Sequence, residues 1–280
     1  MADGARPRGG RPAHGEPVLD RAFRLLGSFG PAHRALSLTS LSARSGLPKP
    51  TALRLARKLV ERGALERAGD GRYVIGLRLL EIASLAPRRH GLRATALPYL
   101  EDLHQATGQH VLLAVRDGYQ AVLVERLSAH GAGRVLYRVG GRMPLHSTGV
   151  GLVLLAHAAP EVQDEILAGD LTLEPEHTRL SARDLRAQLA AVRRDGVAVA
   201  ARWHPEPMTS VACPITDQRH GTVAALSVVT RSVRLDPAAV RPAVVAVARA
   251  ISRAVSTAPG AQDLPLRSGM VAGRVPRYGR

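Results

Sequence analysis

The stretch GLPKPTALRLARKLVERG (46–63) constrains the fold of this chain more than any other, because its residues divide between two sides of a helix. With Thr51 at zero and a step of about 100° per residue, Leu55, Leu59, Ala52, Ala56, Val60 and Leu53 fall on an arc from roughly 40° to 200°. The arc from roughly 240° round to 360° holds Arg57, Glu61, Arg54, Lys58 and Thr51. Pro48 and Pro50 stand at or just before the first turn, where a missing N–H costs nothing, and Gly63 is a left-handed stop. One stripe must therefore be buried. The other presents cations, from the end where the helix dipole favours phosphate. A solvated basic surface is the plain reading of such a face.

The flanking segments argue for more. Upstream, SLTSLSARSG (37–46) reads as a short helix with Ser/Thr caps, with Leu38, Leu41 and Ala43 inward and Gly46 ending it. Only three or four residues separate the two helices, the spacing of a helix-turn-helix. PVLDRAFRLLGSFG (17–30) precedes them as an amphipathic helix through Val18, Ala22, Leu25, Leu26 and Phe29. ALERAGDGRYVIG (64–76) follows as two strand-like runs around Gly69-Asp70-Gly71, a hairpin signal. Three helices and a hairpin predict a winged helix-turn-helix, with Arg67 and Arg72 on the wing placed for phosphate or a minor groove.

Composition agrees with a nucleic-acid partner. The 280 residues suffice for two domains, and 45% hydrophobic residues can build their cores. The 39 Lys+Arg against 23 Asp+Glu leave a formal net charge of +16, an electrostatic footprint suited to DNA. Only Lys49 and Lys58 are lysines, and a GC-rich genome also produces such an arginine bias. Aromatic residues at 3% are too few for the stacking platforms of single-strand binders. The lone Cys213 excludes an internal disulfide and a thiolate-only metal site. No apolar stretch approaches the length of a membrane span. Residues 1–16 lack the apolar core of a secretory signal and, with 258–280, read as flexible basic flanks; a cytoplasmic protein is expected.

Beyond the wing, GLRLLEIASLA (76–86) predicts a linker helix whose Leu77, Leu80 and Ala83 either pair with a second copy or pack on their own domain. A basic break, PRRHG (87–91), is expected next, then a helix over 92–108 bent at Pro98. HVLLAVRDGYQAVLVERL (110–127) reads as a hairpin turning at Asp117-Gly118, and GRVLYRVG (133–140) as a third strand. GGRMPLHSTGVGLVLLAHA (140–158) is a Gly-rich loop entering an apolar helix. Helices follow over 160–169 and 181–196, the second with Ser181 and Asp184 at capping-box spacing. Strands are predicted at 197–202, 209–216 and 221–231, and a closing helix over 236–255. Hairpins with helices grouped around them make an α+β domain with an antiparallel sheet.

No G-x-S-x-G elbow, phosphate loop or H-E-x-x-H is present, and the 11 His are scattered. Cys213 lies in an apolar β-run, the setting of an inert thiol. Catalysis is not indicated. The 140–151 segment instead brings Gly140, Gly141, Gly149 and Gly151 with His146, Ser147 and Thr148 to a helix start, where backbone N–H groups bind small anions. An ordinary loop capped by Ser147 or Thr148 is the competing reading.

GLPKPTALRLARKLVERGALER, YVIGLRLLEIA, GGRMPLHSTGVGLVLLA and VACPITDQRHGTVAALSVV occur in the order and spacing of a known family. From Leu19 to about Val255 the chain resembles the IclR family of bacterial transcription regulators. The resemblance implies a winged DNA-binding domain (17–76), a linker helix (77–91) and a GAF-like effector domain (92–257). It also implies dimers, often paired into tetramers, on palindromic operators. There are departures. Pro50 replaces the Ser that usually follows Pro-Lys in the recognition helix. Gly149-Val150-Gly151-Leu152 lacks the family's Lys. The family's acidic stretch is replaced by Ala200-Ala201-Arg202-Trp203-His204, and Pro207 stands for a Gly. Ser210 and Ser227 correspond to pocket-lining polar positions, whereas Val229 is apolar where a Ser can occur.

The expectation is a dimeric or tetrameric regulator of double-stranded DNA, not an enzyme, without cofactor or metal, whose DNA affinity responds to a small carboxylate or apolar metabolite. Lys49, Thr51, Arg54, Arg57, Lys58, Arg67 and Arg72 are the DNA-binding candidates, with Thr51 and Arg54 nearest the bases. Gly141, Met143, His146, Ser147, Trp203, Ser210 and Ser227 are the ligand-binding candidates. The rival readings are a DNA-binding protein whose pocket has closed and an enzyme with a DNA-binding appendage.

Overall fold

The computed structural model describes residues 16–30, 32–85, 87–133, 135, 137–173, 178–202, 207–234 and 236–257. Trp203 and the flanks 1–15 and 258–280 lie outside the described residues. The chain divides into two units, Met1–Ala86 and Pro87–Arg280.

In the first unit, helices α1 (Val18–Leu26), α2 (Leu38–Ser45) and α3 (Lys49–Glu61) precede the hairpin β2 (Leu65–Arg67) and β3 (Tyr73–Ile75), and α4 (Leu77–Ser84) follows. A short strand β1 (Ala35–Leu36) pairs Ala35 with Val74, making a three-stranded sheet in the order β1-β3-β2. The core gathers Leu25, Leu41, Ala52, Leu55, Ala56, Leu65 and Tyr73, so the apolar arc of α3 is the buried one. Ala43, expected inward, is exposed. The inward place is taken by Ser45, whose hydroxyl donates to Leu41 O at 2.6 Å and so needs no water. After the wing the chain crosses its own start closely: Gly76 N–H donates to Ala64 O at 3.0 Å, and a Cβ on Gly76 would strike the Gly63 carbonyl.

The second unit begins with α5 (Pro87–Thr107). The break expected at PRRHG is absent. Pro87 occupies the first helical position, where proline loses no hydrogen bond, and Gly91 is tolerated inside the helix. Then come β4 (His110–Asp117), β5 (Gln120–Leu127), β6 (Arg142–Pro144), α6 (Gly149–Ala156), α7 (Pro160–Ala168), β7 (Thr172–Leu173), β8 (Thr178–Arg179), α8 (Ala182–Asp195), β9 (Ala198–Arg202), β10 (Met208–Asp217), β11 (Gly221–Arg231), a 3-10 turn at Ser232–Arg234, and α9 (Pro237–Thr257). Six strands form one antiparallel sheet, β6-β5-β4-β11-β10-β9.

Strand alternation sends side chains to both faces of this sheet, and both are covered. Leu112, Leu123 and Ala225 pack with Leu155 of α6 and Leu185 and Leu189 of α8. Leu113, Leu226 and Val228 pack with Leu100 and Leu103 of α5 and Ile251 of α9. Helix α6 is buried along its whole length, which explains its lack of a polar side.

No strand forms among the described residues of 133–140. The Val135 and Tyr137 carbonyls accept from the Arg126 guanidinium at 3.5 and 2.7 Å instead of from a strand. The edge strand is β6, starting after Gly140 at φ 78°.

Candidate functional site

In the first unit, α2 is fixed at both ends: Ser37 accepts from Ser40 N–H at 3.1 Å, and Gly46 closes the helix at φ 65°. The turn delivers Pro48 as the N-cap of α3 and Pro50 within its first turn. With Ala52, Leu55 and Ala56 buried, Lys49, Arg54, Arg57 and Lys58 are exposed and Thr51 is half-buried. Lys49, Arg54 and Arg57 have no ion-pair partner among the described residues. Lys58 Nζ reaches Glu61 at 2.7 Å.

The wing turn orders its own arginines. Asp70 accepts from Arg72 N–H at 3.0 Å and from Arg72 Nε at 2.6 Å. The backbone bond first, and the guanidinium second, hold the Asp70 carboxyl below its usual range. Arg67 donates from Nε to Gly71 O at 3.2 Å and lies 5.9 Å from the centre of the Tyr73 ring. Both arginines remain exposed. The seven DNA-binding candidates thus belong to one recognition helix and one wing of a single unit.

In the second unit, Thr148 caps α6, its hydroxyl accepting from Gly151 N–H at 3.1 Å. The start of α6 is pressed onto β10: a Cβ on Gly149 would strike Ser210 Oγ and lie 3.4 Å from Ala212 Cβ. Of the ligand candidates, His146 and Ser147 are therefore close in sequence to Gly149, which packs against Ser210. Ser227 is buried and pairs with Ala212 across β10 and β11. Met143 is buried in the core on the same sheet face, and Gly141 is half-buried, its N–H donating to Arg138 O at 2.7 Å. His146 donates from Nε2 to Thr172 O at 3.2 Å.

Directly paired residues share a face, so Ser210, Val229 and His110 form one row across the sheet. His110 went unremarked in the sequence, although its place at the start of a strand was readable. It is buried, accepts from Ala129 N–H at Nδ1 (3.1 Å), and donates from Nε2 to Gly133 O (2.8 Å). These bonds require the neutral ring, and burial pushes its pKa down. His110 and Arg126 together hold Ala129, Gly133, Val135 and Tyr137 to the sheet. With those two groups engaged in backbone bonds, the hydroxyls of Ser210 and Ser227 lie among small and apolar residues on this face.

Cys213 is on the opposite face, where burial pushes its thiol up to about 12. Among the described residues no group of three His, Cys, Asp or Glu could hold a metal, and no helix is long and apolar enough to cross a membrane.

Comparison with known proteins addresses both units. Residues 18–69 match the family model described as the IclR helix-turn-helix domain, and residues 85–257 match that of the bacterial transcriptional regulator IclR C-terminal. The glycerol operon regulatory protein of Streptomyces coelicolor is 31% identical, over 87% of this chain and 96% of that protein. The HTH-type transcriptional regulator XynR of Escherichia coli is 29% identical, over 79% of this chain and 88% of that protein. An IclR homologue from Microbacterium hydrocarbonoxydans, solved in complex with 4-hydroxybenzoate, is 33% identical with a TM-score of 0.79, over 86% of this chain and 100% of that chain.

Proposed function

The chain belongs to the IclR family of bacterial transcription regulators, and from that premise we propose that it is a homodimer on palindromic operators whose DNA affinity is set by a small-molecule effector. The family assignment carries an N-terminal helix-turn-helix domain and a C-terminal effector domain. The observation that carries the DNA reading is the recognition helix: among the described residues Arg54 and Arg57 are exposed and unpaired on the face opposite the buried Ala52, Leu55 and Ala56, and Lys49 is exposed and unpaired in the first turn. Thr51 and Arg54 are assigned to base edges, and Lys49, Arg57, Lys58, Arg67 and Arg72 to phosphates. Residues 17–76 carry this contact, 77–91 link it, and 92–257 receive the effector.

A second copy is supported by exposed apolar side chains on α1 (Leu19, Phe23) and α4 (Leu77, Leu80, Ile82), a surface that a partner would cover. The effector is assigned to the sheet face of Ser210, Ser227 and Met143 at the start of α6, with Gly141, His146 and Ser147 from the preceding loop; Trp203, the remaining candidate, lies outside the described residues. Hydroxyls and apolar walls suit a small, largely apolar molecule with one or two polar ends, such as an aromatic carboxylate. It regulates only by binding the two DNA-affinity states unequally.

Selection of genomic fragments by the purified protein at about 150 mM salt, where purely electrostatic binding is weakened, tests the reading. A palindromic motif is the expected result, and fragments without a common motif overturn it. Titration with 4-hydroxybenzoate, then with products of the neighbouring genes, tests the effector part. DNA affinity that no such compound changes favours a closed pocket.

A further inference from the structure

Between α3 and the wing lies a cleft of about 400 Å³. Its apolar wall includes Leu53, Val60 and Tyr73; its polar lining is Arg57, Arg67 and Glu61. Arg57 is unpaired among the described residues, and Arg67 commits only Nε, to Gly71 O, so both can donate to an anion. Glu61 is the one carboxylate in this lining, and it also holds Lys58 at 2.7 Å.

Helix stability does not account for Glu61. It is the last residue of α3, where the carbonyl end of the dipole disfavours a negative charge. Its pair with Lys58 runs Lys-to-Glu along the chain, the less favourable order, and both side chains are more than half exposed (70% and 56%), so the bond is weak. A carboxylate here costs the helix a little. It also places a negative charge in the surface that meets DNA.

We propose that the cleft seats one sugar–phosphate strand of duplex DNA, with Arg57 and Arg67 on its phosphates, and that Glu61 lowers sequence-independent affinity by opposing that seating. The proposal rests on the DNA-binding reading above. Deoxyribose faces fit the apolar wall, and the two arginines complement the phosphates flanking them. Glu61 opposes the same phosphates and keeps Lys58 from becoming a further contact. Any sequence can fill the cleft. The repulsion does not depend on sequence, so Glu61 subtracts by a similar factor from binding on all DNA, and only a site that also satisfies Thr51 and Arg54 at the bases keeps enough affinity to stay occupied.

The test is fluorescence anisotropy of the full-length protein with a random-sequence duplex, from about 0.1 to about 1 M salt, comparing wild type with Glu61→Gln, Arg57→Gln and Arg67→Gln. If Glu61→Gln frees Lys58 for one more phosphate, the slope of log K against log salt steepens by about 0.9. Affinity then rises about eightfold at 0.1 M and converges with wild type near 1 M. Each arginine variant makes the slope shallower by about the same amount. Unchanged affinity and slope for Glu61→Gln overturn the role of Glu61 even if the arginine variants weaken binding, which leaves the DNA reading intact. Wild-type protein that binds no duplex at any salt overturns both. Circular-dichroism melts of each variant show that the fold is retained, since all three positions are on the surface.

Discussion

Two glycine-to-alanine changes, both inside helices of the effector unit, are expected to move stability in opposite directions. Alanine normally favours a helix over glycine by up to about 1 kcal/mol, because glycine loses more backbone freedom on folding. At Gly91 in α5 a Cβ meets nothing within 4 Å, so Gly91→Ala should collect that benefit. At Gly151 in α6 a Cβ would lie 2.6 Å from Pro144 O, 2.6 Å from Thr148 Oγ1 and 2.7 Å from Leu145 O. Two of these are carbonyls of β6 and the turn after it, which cannot retreat without moving the strand. The third is the cap of α6 itself. Overpacking of this kind costs about 1–3 kcal/mol. For a unit of this size each kcal/mol moves the melting midpoint by about 2–4 °C, so Gly151→Ala should melt about 2–12 °C lower and Gly91→Ala up to about 4 °C higher. Scanning calorimetry of the full-length variants at one pH and concentration measures both. A Gly151→Ala midpoint at or above wild type would mean that α6 does not approach β6 this closely, and the effector face built on that approach would fall with it.

Further outcomes follow from single side chains. Arg54→Ala should weaken binding to the selected operator by about 1–3 kcal/mol and relax preference at one base position, measured by anisotropy on operator variants. A uniform loss on all sequences would make Arg54 a phosphate contact. The folded pKa of His110 is depressed below 6.5, chiefly by burial, so near that pH the unfolded chain binds more protons than the folded one. The His110 contribution is therefore present above pH 6.5 and lost as pH falls through the folded value. Urea unfolding between about pH 5 and 8 should show stability falling toward acid, with a flatter profile for His110→Gln. An identical pH profile for the variant refutes this. Cys213, its thiol raised to about 12 and buried, should resist thiol reagents in native protein at pH 8 and react once unfolded. Stoichiometric labelling of the folded protein would contradict the packing of β10.

The first unit was legible almost residue by residue, because its signals are local. Ser37, Gly46, Pro48 and Gly63 mark helix ends within a turn of where they act, and the arc of α3 depends only on the helix period. What escaped was non-local: β1 is two residues long and exists only because it pairs with β3. Ala43 reads as inward for its apolar side chain, whereas the helix period puts Ser45 beside Leu38 and Leu41, and the Leu41 carbonyl four residues back accepts its proton. In the second unit, 133–140 has the alternation of a strand, and no local property reveals that Arg126, from β5, would occupy two of its carbonyls. The helical start at Pro87 is a local signal instead. A basic Pro-Arg-Arg-His-Gly run resembles a break unless proline is counted as a first-turn residue.

The candidate sites divide the same way. The DNA-binding side chains share one helix and one hairpin, so helical and hairpin geometry place them before any tertiary contact forms. The sequence alone therefore settles which cations of α3 share a face, where the helices of the first unit begin and end, and that no G-x-S-x-G, phosphate-loop or H-E-x-x-H motif is present. The effector face is assembled from β4, β10, β11 and the start of α6, segments that the chain brings together across a span running from His110 to Arg231. Its rows follow from strand register, which a single-residue slip would reverse. That His110 lies in line with Ser210, that Gly149 must be small because Ser210 is beneath it, and that Cys213 faces away are consequences of register and close packing. Only the folded sheet decides them, because none of these residues meets its partner until the strands have paired.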